Sequence, residues 1–376
     1  MKILHFIHDL GIGGTQKTCE QFAIELARRG HTCSVVFYEG GATDRCENLD
    51  SCAANDVGYD RLVWFGINRE NKEKAFQEIV DKFKPDIIHT YLSGYPEFPD
   101  PGKDYDPRGA KCVQTNVFGH YNSNPDLHKV LYMSEYLYFH ARKHGYATGP
   151  DFRYDFIYNP VPKPVVSRVS KLVLDGDKEI WPKDNKIVIG RTGRPENGIY
   201  DSISIDALNI LLQNQPELRG KINFLVLAPP PNMVKDLKRY SIPFSMHCPT
   251  VIPYEIDRIY SKMDIFAHAR LDGETCGCVI EEAMMHGLPV VTHVSQPDVP
   301  NVYPFQAQTT LVENDRTGFV VGHSAEEYAE ALGELIEDAD LRKKLGDAGK
   351  EVALSLFETG VCVDKLEKIY YELINE

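Results

Sequence analysis

The chain has 376 residues, of which 43% are hydrophobic and 26% are charged. A chain of this length exceeds the usual size of one hydrophobic core and therefore predicts two globular domains. Its formal net charge is −14, and it has no stretch of clustered lysine and arginine. Because phosphate backbones require such clusters, the composition argues against a nucleic-acid partner.

The cysteine pattern and the hydropathy bear on the cellular location. Nine cysteines are scattered singly through the chain, which is unlike a disulfide framework and predicts a reduced, cytoplasmic setting. Residues 1–10 lack the basic segment and long apolar run of a secretory signal. No apolar run approaches the roughly 18 residues of a membrane span, so we expect a soluble protein without a transmembrane segment.

The first half of the chain alternates between strand-like and helix-like segments. Residues 2–7 form an apolar run, followed by the glycine loop HDLGIGGTQK and by a segment with one apolar helical face that Gly30 ends. The strand series continues with CSVVFY, KPDIIHTY, KCVQTNVFGH and DFIYNPV, and NKEKAFQEIVDKFK and MSEYLYFHARKHG are the intervening helices. Such alternation predicts a parallel, doubly wound sheet.

A second series of the same type follows the proline-rich segment 159–166, our candidate linker. Its predicted strands are NKIVIGRTGRPE, KINFLVLAPPP, MDIFAHAR, LPVVTH and TGFVVG, and its helices include SIDALNILLQNQ and SAEEYAEALGELIED. We therefore expect domains at residues 1–162 and 163–376. The second includes a C-terminal amphipathic helix, VCVDKLEKIYYELI, whose packing partner the sequence leaves open.

The N-terminal glycine loop contains Gly11, Gly13 and Gly14 before a helix, where unpaired N–H groups favour an anion. A dinucleotide site is one interpretation, because Glu39 follows the second strand as a ribose ligand should. However, Gln16 occupies the position of the last glycine of that fingerprint. A plain tight turn is the alternative.

A second anion site is predicted around Gly277, at the start of a helix in the segment GETCGCVIEEAMMHGLPVV. Glu274 precedes it and Glu282 lies about one turn into the helix. Two carboxylates beside a diphosphate would repel it unless each binds neutral hydroxyls, and a nucleoside diphosphate sugar carries hydroxyls at both ends. The alternative is a solvated loop residue followed by an acidic first helical turn at Glu281 and Glu282.

The spacing of Glu274, Gly277, Glu282 and Ala283, followed by HGLPVV, resembles the glutamate, seven residues, glutamate signature of retaining glycosyltransferases of the family 4 type, also called glycosyl transferases group 1. The likeness extends over nearly the whole chain. Further segments that resemble the family in order are HDLGIGGTQK, KPDIIHTY, VLYMSE, IYNPV, IGRTGRPE and ENDRTGFVV. The resemblance implies the GT-B fold, with two Rossmann-like domains that face each other across a cleft holding the active site.

The resemblance also implies the roles of individual residues. Glu274 would hold the transferred sugar and Glu282 the ribose, while Arg191 or Arg194 would neutralise the diphosphate. The implied catalytic residues are Glu274, Arg191 and His120. The implied donor-binding residues are Gly13, Gly14, Arg191, Arg194, Gly277, Cys278, Val279 and Glu282. The implied donor is a UDP- or GDP-sugar bound as substrate, and no cofactor is expected.

Three departures from the family pattern are visible in the sequence. The lysine that usually follows the diphosphate arginine is missing, and the region holds Asn197 to Tyr200 instead. Cys276 stands where an aromatic residue is common. The N-terminal catalytic histidine has two candidate positions, Asn116 and His120.

We expect no required metal ion. The triplet Asp175 to Asp177 imitates a metal-binding motif of the other major glycosyltransferase fold, but its place in the connecting region predicts a polar turn. Cys276, Cys278 and His286 lack a second close ligand pair with structural zinc spacing.

The prediction is thus a retaining, metal-independent hexosyltransferase that acts on a hydroxyl of a glycan or glycoconjugate. The alternatives are an NAD(P)-dependent oxidoreductase using the first glycine loop and Glu39, and a non-catalytic sugar-nucleotide-binding protein. The first alternative leaves Glu274 and Glu282 unexplained.

Overall fold

The computed structural model describes residues 1–95, 97–120, 122–145, 147, 153–165, 185–296 and 305–376. The Asp175 to Asp177 triplet and the last residue of the candidate linker lie outside these described residues. The chain divides into two compact units. The first comprises Met1–Pro160 together with Phe357–Glu376, and the second comprises Val161–Leu356.

Each unit contains one parallel sheet. The strands are β1 (Lys2–Phe6), β2 (Thr32–Tyr38), β3 (Leu62–Ile67), β4 (Ile87–Leu92), β5 (Lys111–Asn116), β6 (Lys129–Tyr132), β7 (Tyr154–Phe156), β8 (Ile187–Arg191), β9 (Ile222–Leu227), β10 (Phe244–His247), β11 (Ile265–Ala267), β12 (Val290–His293) and β13 (Gly318–Val321). The strand orders are β3-β2-β1-β4-β5-β6-β7 in the first unit and β10-β9-β8-β11-β12-β13 in the second. All named pairs are parallel. Both sheets therefore have the doubly wound Rossmann order, as predicted.

Helices alternate with these strands. They are α1 (Gly14–Arg28), α2 (Cys46–Cys52), α3 (Lys72–Phe83), α4 (Glu135–Lys143), α5 (Ile203–Asn214), α6 (Pro231–Arg239), α7 (Pro253–Ser261), α8 (Cys278–Met285), α9 (Ala307–Leu311), α10 (Ala325–Glu337), α11 (Ala339–Leu356) and α12 (Thr359–Asn375). Gly30 follows α1 with φ +95, a left-handed conformation that glycine adopts without strain, so the predicted stop is confirmed. Among the described residues, none of the helices combines the length and apolar character that a bilayer crossing requires.

The C-terminal helix α12 packs on the first unit rather than continuing the second. Val363, Leu366 and Tyr370 are fully buried in the core of the first unit. The Tyr370 hydroxyl lies 2.6 Å from Nδ1 of His89 on β4. The apolar stripe read from the sequence therefore covers the first sheet, and this differs from the expected assignment of residues 163–376 to one domain.

Three strands were absent from the predicted series: β3, β6 and β10. Strand β3 pairs with β2 and strand β10 pairs with β9, and each forms an edge of its sheet. Strands β6 and β10 have just four residues each, so their hydrophobic patterns are short. Strand β3, LVWFGI, is a continuous apolar run that the prediction overlooked.

Candidate functional site

Helix α8 begins with an exposed set of backbone donors. Gly277 precedes the helix with φ +90, and a Cβ there would lie 2.8 Å from Cδ1 of Leu311. The amides of Ile280 and Glu281 donate to the Gly277 carbonyl. Within the described part of the chain, the amides of Cys278 and Val279 have no carbonyl partner. They can therefore hold an anion at the positive end of the helix dipole.

Glu274, on the loop before α8, has a carboxylate held on two sides. Nε2 of His268 lies 3.1 Å from its Oε1, and a guanidinium nitrogen of Arg270 lies 3.6 Å from its Oε2. Burial opposes ionisation, but Arg270 and the hydrogen bond from His268 outweigh it and lower the pKa of Glu274. The carboxylate is thus an oriented, ionised hydrogen-bond acceptor at neutral pH.

The two neighbours of Glu274 are themselves fixed in place. Nδ1 of His268 lies 2.9 Å from the Thr292 hydroxyl. The guanidinium of Arg270 also pairs with both carboxylate oxygens of Asp272, at 2.5 and 3.0 Å. These contacts orient the side chains that orient Glu274. Sequence reasoning did not identify His268 or Arg270, although both belong to the predicted strand segment MDIFAHAR, at its carboxyl end.

Glu282 lies on the buried face of α8, with 9% of its surface exposed. The Tyr260 hydroxyl donates to Glu282 Oε2 at 2.7 Å and also lies 2.7 Å from the Thr192 hydroxyl. Glu281 is fully buried, so neither glutamate is an ordinary solvated residue of a first helical turn. Tyr260 links Glu282 to the end of β8, a connection that the sequence did not reveal.

Arg191, the last residue of β8, is a buried cation with few partners. Its guanidinium donates to the Ala269 carbonyl at 2.8 Å and lies 3.6 Å from the Met233 sulfur. The Tyr200 ring centroid is 5.9 Å away. No carboxylate oxygen of the described residues lies within 4 Å of it. Burial lowers the pKa of Arg191 to about 10, against attractions from neighbouring groups that include Glu274.

Arg194 has a different environment. Its side chain is 42% exposed and pairs with Glu196 at 3.2 Å. It contributes to lowering the pKa of Glu274, after burial, Arg270 and His268. Asn197 stands where the family lysine is expected, and its side-chain oxygen accepts a hydrogen bond from the Asn232 amide at 3.0 Å. Asn197 thus stabilises a loop and supplies no positive charge.

The N-terminal glycine loop lies in the first unit. Gly13 caps α1 in an extended conformation without a side-chain hydrogen bond, and Gly14 is the first helical residue. The Gln16 side chain folds over Gly13, since a Cβ on Gly13 would lie 2.0 Å from Gln16 Oε1. Gln16 also donates to Asp9. Glu39, the ribose ligand of the oxidoreductase alternative, is exposed beyond the end of β2.

Asn116 and His120 play different parts in the loop after β5. Asn116 is fully buried, and its amide group bonds both the Gly119 amide and the His120 carbonyl. The His120 ring is partly exposed and stacks on Tyr95 with ring centroids 3.9 Å apart. Partial burial lowers the pKa of His120. Of the two candidates, only His120 presents a side chain outside the loop.

Further polar and aromatic groups lie at the same strand ends of the first unit. Glu97 accepts a hydrogen bond from the Ser93 amide at 2.7 Å and lies 3.6 Å from Nε2 of His8. Tyr95 is 56% exposed and Phe118 is 46% exposed. The predicted site residues did not include this group.

The cysteines near α8 do not form the histidine-containing set considered from the sequence. Nε2 of His286 lies 3.1 Å from Asp257, and its Nδ1 lies 2.8 Å from the Glu282 carbonyl. The Cys276 thiol instead lies 3.5 Å from a carboxylate oxygen of Glu281, and Cys278 is close to both.

The structure thus gathers one group of predicted residues in the second unit. Its members share the ends of β8 and β11 and the start of α8: Arg191, Arg194, Glu274, Gly277, Cys278, Val279 and Glu282. The other predicted residues, Gly13, Gly14 and His120, lie at strand ends of the first unit. Each group occupies the carboxyl edge of its own sheet, where ligands bind in open α/β sheets.

Two parallel, doubly wound α/β units, the second of which carries this glutamate and glycine arrangement, are the architecture of the GT-B fold. Residues 197–338 match the family model described as glycosyl transferases group 1. Over this segment the match confirms the predicted resemblance to that family. No curated protein matches the sequence.

Solved structures confirm the predicted fold class. A glycosyltransferase from Rickettsia africae superposes with a TM-score of 0.71 at 17% identity, over 99% of this chain and 98% of that one. Anabaena Alr3699/HepE, solved with UDP-glucose, gives 0.70 at 16% identity, over 99% and 100%. Sucrose-phosphate synthase from Thermosynechococcus elongatus gives 0.69 at 16% identity, over 100% and 99%.

Proposed function

We propose that this protein transfers a hexose from a nucleoside diphosphate sugar to an acceptor hydroxyl with retention of configuration. The observation that carries the proposal is Arg191, a buried guanidinium without a carboxylate partner among the described residues. A buried charge is stable only when it is paired, so this cation calls for an anionic ligand. The match of residues 197–338 to a glycosyltransferase family supports a diphosphate as this ligand.

The diphosphate would be held by Arg191 and by the amides of Cys278 and Val279. Guanidinium N–H groups form strong charge-assisted hydrogen bonds to phosphate oxygens, and helix amides add neutral donors. As the sugar leaves, negative charge accumulates on this diphosphate. Fixed donors that stabilise that charge are expected to supply a large part of the catalysis. Arg194 would contribute a second, more exposed positive charge.

Glu274 would orient the hexose. Its carboxylate is ionised and fixed by His268 and Arg270, so it accepts hydrogen bonds from sugar hydroxyls without reorganisation. The net charge around it is partly neutralised by Arg270, which limits repulsion of the diphosphate. Because positive charge develops on the transferred sugar in the transition state, a nearby carboxylate stabilises that state more than the ground state.

Glu282 would accept hydrogen bonds from the ribose hydroxyls. Tyr260 holds one carboxylate oxygen and fixes the direction of the group. The bare nucleotide and the nucleotide sugar share this ribose, so Glu282 should contribute equally to binding both.

The acceptor would bind the first unit, near His120. The exposed rings of Tyr95 and Phe118 offer flat apolar surfaces, and Glu97 and His8 offer polar groups beside them. A sugar ring combines apolar faces with hydroxyl edges, so this mixture suits a glycan or glycoconjugate. Gly13 and Gly14 place no side chain of their own at the start of α1. The Gln16 side chain that folds over Gly13 would have to move for a phosphate or hydroxyl to bind there.

The reaction is proposed to need no metal ion, since Arg191, Arg194 and the start of α8 supply the positive potential at the diphosphate. The missing lysine supports the third possibility, a protein that binds a sugar nucleotide without turnover, because Asn197 provides no charge.

A panel of UDP-, GDP- and ADP-sugars in a thermal-shift assay tests the proposal. A ligand at 100 times its dissociation constant adds roughly 2.7 kcal/mol to the free energy of unfolding. We expect one nucleotide class to raise the melting temperature, and the corresponding donor to be consumed with the α or β configuration kept in the product by NMR. Binding without transfer or donor hydrolysis would favour the non-catalytic alternative, and a response to NADH alone would favour the oxidoreductase.

A further inference from the structure

A compact cluster of one carboxylate and two imidazoles lies in the second unit, apart from the groups assigned above. Asp201, His293 and His323 each offer one ligand atom, and these atoms lie within 4.8 Å of one another. They come from three segments that are far apart in sequence. Asp201 precedes α5, His293 ends β12 and His323 follows β13.

The distances between the ligand atoms suit a small transition-metal ion. Nε2 of His323 lies 2.7 Å from Oδ2 of Asp201, and Nε2 of His293 lies 3.8 Å from the same oxygen. Zinc–ligand bonds of about 2.0–2.1 Å at tetrahedral angles separate neighbouring ligand atoms by about 3.3 Å. Shifts of about half an ångström would bring both of these pairs to that separation, and the two imidazole nitrogens already lie within 4.8 Å of each other.

The cluster is shielded from solvent, which distinguishes it from an ordinary surface group. Asp201 is 5% exposed and His293 is 1% exposed, while the His323 side chain is 24% exposed. The carboxylate of Asp201 is thus buried beside two imidazoles. Its other oxygen accepts a hydrogen bond from the Ile203 amide, which fixes the group without neutralising it.

The outer nitrogens of both imidazoles have partners that orient the rings. Nδ1 of His293 lies 3.0 Å from the Val294 carbonyl, so Nδ1 carries the proton and Nε2 keeps its lone pair for the cluster. Nδ1 of His323 lies 2.9 Å from the Gln296 side-chain amide. Such outer contacts are typical of metal-binding histidines.

We propose that Asp201, His293 and His323 form a binding site for Zn²⁺ in the second unit. Two imidazole nitrogens and one carboxylate oxygen are three of the four ligands of a tetrahedral zinc site, with water as the fourth. Imidazole favours zinc over magnesium, which prefers oxygen ligands. On binding, His323 exchanges its Nε2 proton for one on Nδ1, and the Gln296 amide turns its oxygen toward that proton, so no net proton is released.

The site would be structural, and it would influence the segment that carries Glu274. The Arg270 amide donates a long 3.3 Å hydrogen bond to Nε2 of His293, and zinc would replace it. His293 also directly follows Thr292, whose hydroxyl contacts His268. The ion would therefore stabilise this strand end against unfolding, whereas the contacts of His268 and Arg270 that orient Glu274 are made without it.

Zinc binding to chelator-treated full-length protein tests the proposal, without any sugar nucleotide. The titration should use a Cys248→Ser background, because Cys248 is an exposed thiol and thiolates are zinc ligands. We expect one equivalent of bound zinc and a higher melting temperature. His323→Ala should weaken binding by on the order of a hundredfold or more, since even loss of an outer partner costs 10- to 100-fold. Gln296→Ala, which removes such an outer partner, should weaken zinc binding by about 10- to 100-fold.

Cys278→Ser is the matched control, because Cys276, Cys278 and Glu281 form the other potential metal group of the described residues. It should leave zinc binding unchanged. Co²⁺ in place of zinc should give visible bands without the near-ultraviolet band of a cobalt–thiolate bond. Asp201→Asn, which keeps the size of the side chain, should weaken binding as His323→Ala does. Absence of zinc binding, binding unchanged in His323→Ala, or a thiolate band that disappears in Cys278→Ser would each overturn the proposal.

Discussion

Replacing Arg191 by methionine should stabilise the unliganded protein while it removes diphosphate binding. The substitution keeps an unbranched side chain but deletes the charge. Burial lowers the pKa of Arg191 from 12.5 to about 10, and a change of that size corresponds to roughly 3 kcal/mol of unfavourable interaction with the charged form. Deleting the guanidinium relieves this unfavourable interaction and so stabilises the folded protein. Loss of its hydrogen bond to the Ala269 carbonyl offsets about 1 kcal/mol of that stabilisation.

A net gain of about 1–2 kcal/mol in the free energy of unfolding remains for the Arg191→Met variant. For a domain of this size, each kcal/mol raises the melting temperature by roughly 2–4 °C. A charged donor to phosphate contributes about 1.5–3 kcal/mol, so affinity for the bare nucleoside diphosphate should fall by at least about tenfold. Thermal unfolding without ligand and calorimetric titration with UDP or GDP measure the two effects.

Arg194→Met is the matched control for this pair of measurements. Arg194 is exposed and paired with Glu196, so its removal should change stability little and weaken nucleotide binding less. Arg191→Met that unfolds more easily than the parent protein and binds the nucleotide with unchanged affinity would refute the reasoning. Arg191 would then be a structural cation that the Ala269 carbonyl and the Tyr200 ring stabilise sufficiently.

Four further predictions concern the same chemistry. Glu274→Gln should lower kcat by on the order of a hundredfold, about 2.7 kcal/mol, while affinity for the bare diphosphate barely moves; Asp272→Asn, which removes the other carboxylate paired with Arg270, should have a much smaller effect on kcat. Glu282→Ala should raise the donor KM with little change in kcat, at a cost of roughly 1.5–3 kcal/mol, and a fall in kcat alone would contradict the ribose assignment. Chelator-treated enzyme should keep its rate well below its melting temperature, and activity that needs Mn²⁺ would overturn the metal-independent reaction. Because partial burial lowers the pKa of His120, its imidazole is neutral at pH 7; the rate should fall only as the pH drops below about 6.5, and His120→Ala should abolish that acidic limb.

The architecture could be predicted because it depends on local pattern. Alternating strands and helices indicate a parallel sheet wherever they occur, and the predicted strands near β1, β2, β4, β5 and β7 in the first unit and β8, β9, β11, β12 and β13 in the second are all present. Strands β6 and β10 were absent from the predicted series, since four residues give too short a hydrophobic pattern. Strand β3 was overlooked although its sequence, LVWFGI, is a continuous apolar run.

The position of helix α12 illustrates a different limit. Its apolar stripe was visible from the spacing of Val363, Leu366 and Tyr370. The stripe shows that the helix packs against something, but its partner is determined by contacts far away in sequence. Here that partner includes His89 on β4, whose ring nitrogen meets the Tyr370 hydroxyl. Glu367 of the same helix also lies 2.6 Å from His31.

The candidate site shows the same limit at the level of single residues. Glu274, Gly277 and Glu282 could be selected because they lie close together in one motif. His268 and Tyr260 could not, because their hydrogen bonds to Glu274 and Glu282 arise only when β11, α7 and α8 are packed together. The sequence also could not show that Arg191 is buried without a carboxylate partner among the described residues, because both facts depend on the packing of the folded chain.

The two ends of the proposed donor site differ in how their charges are compensated, and that difference matches the ligand. The carboxylate of Glu274 is paired with Arg270 and bonded by His268, so the sugar end presents an oriented acceptor whose negative charge is partly offset. At the other end, Arg191 lacks a carboxylate partner among the described residues, and the start of α8 adds partial positive charge. A ligand with hydroxyls at one end and a diphosphate beside them satisfies both requirements. An uncharged sugar alone would leave Arg191 buried and unpaired, and a free diphosphate would leave Glu274 without a hydroxyl, so the arrangement favours the intact nucleotide sugar over either fragment.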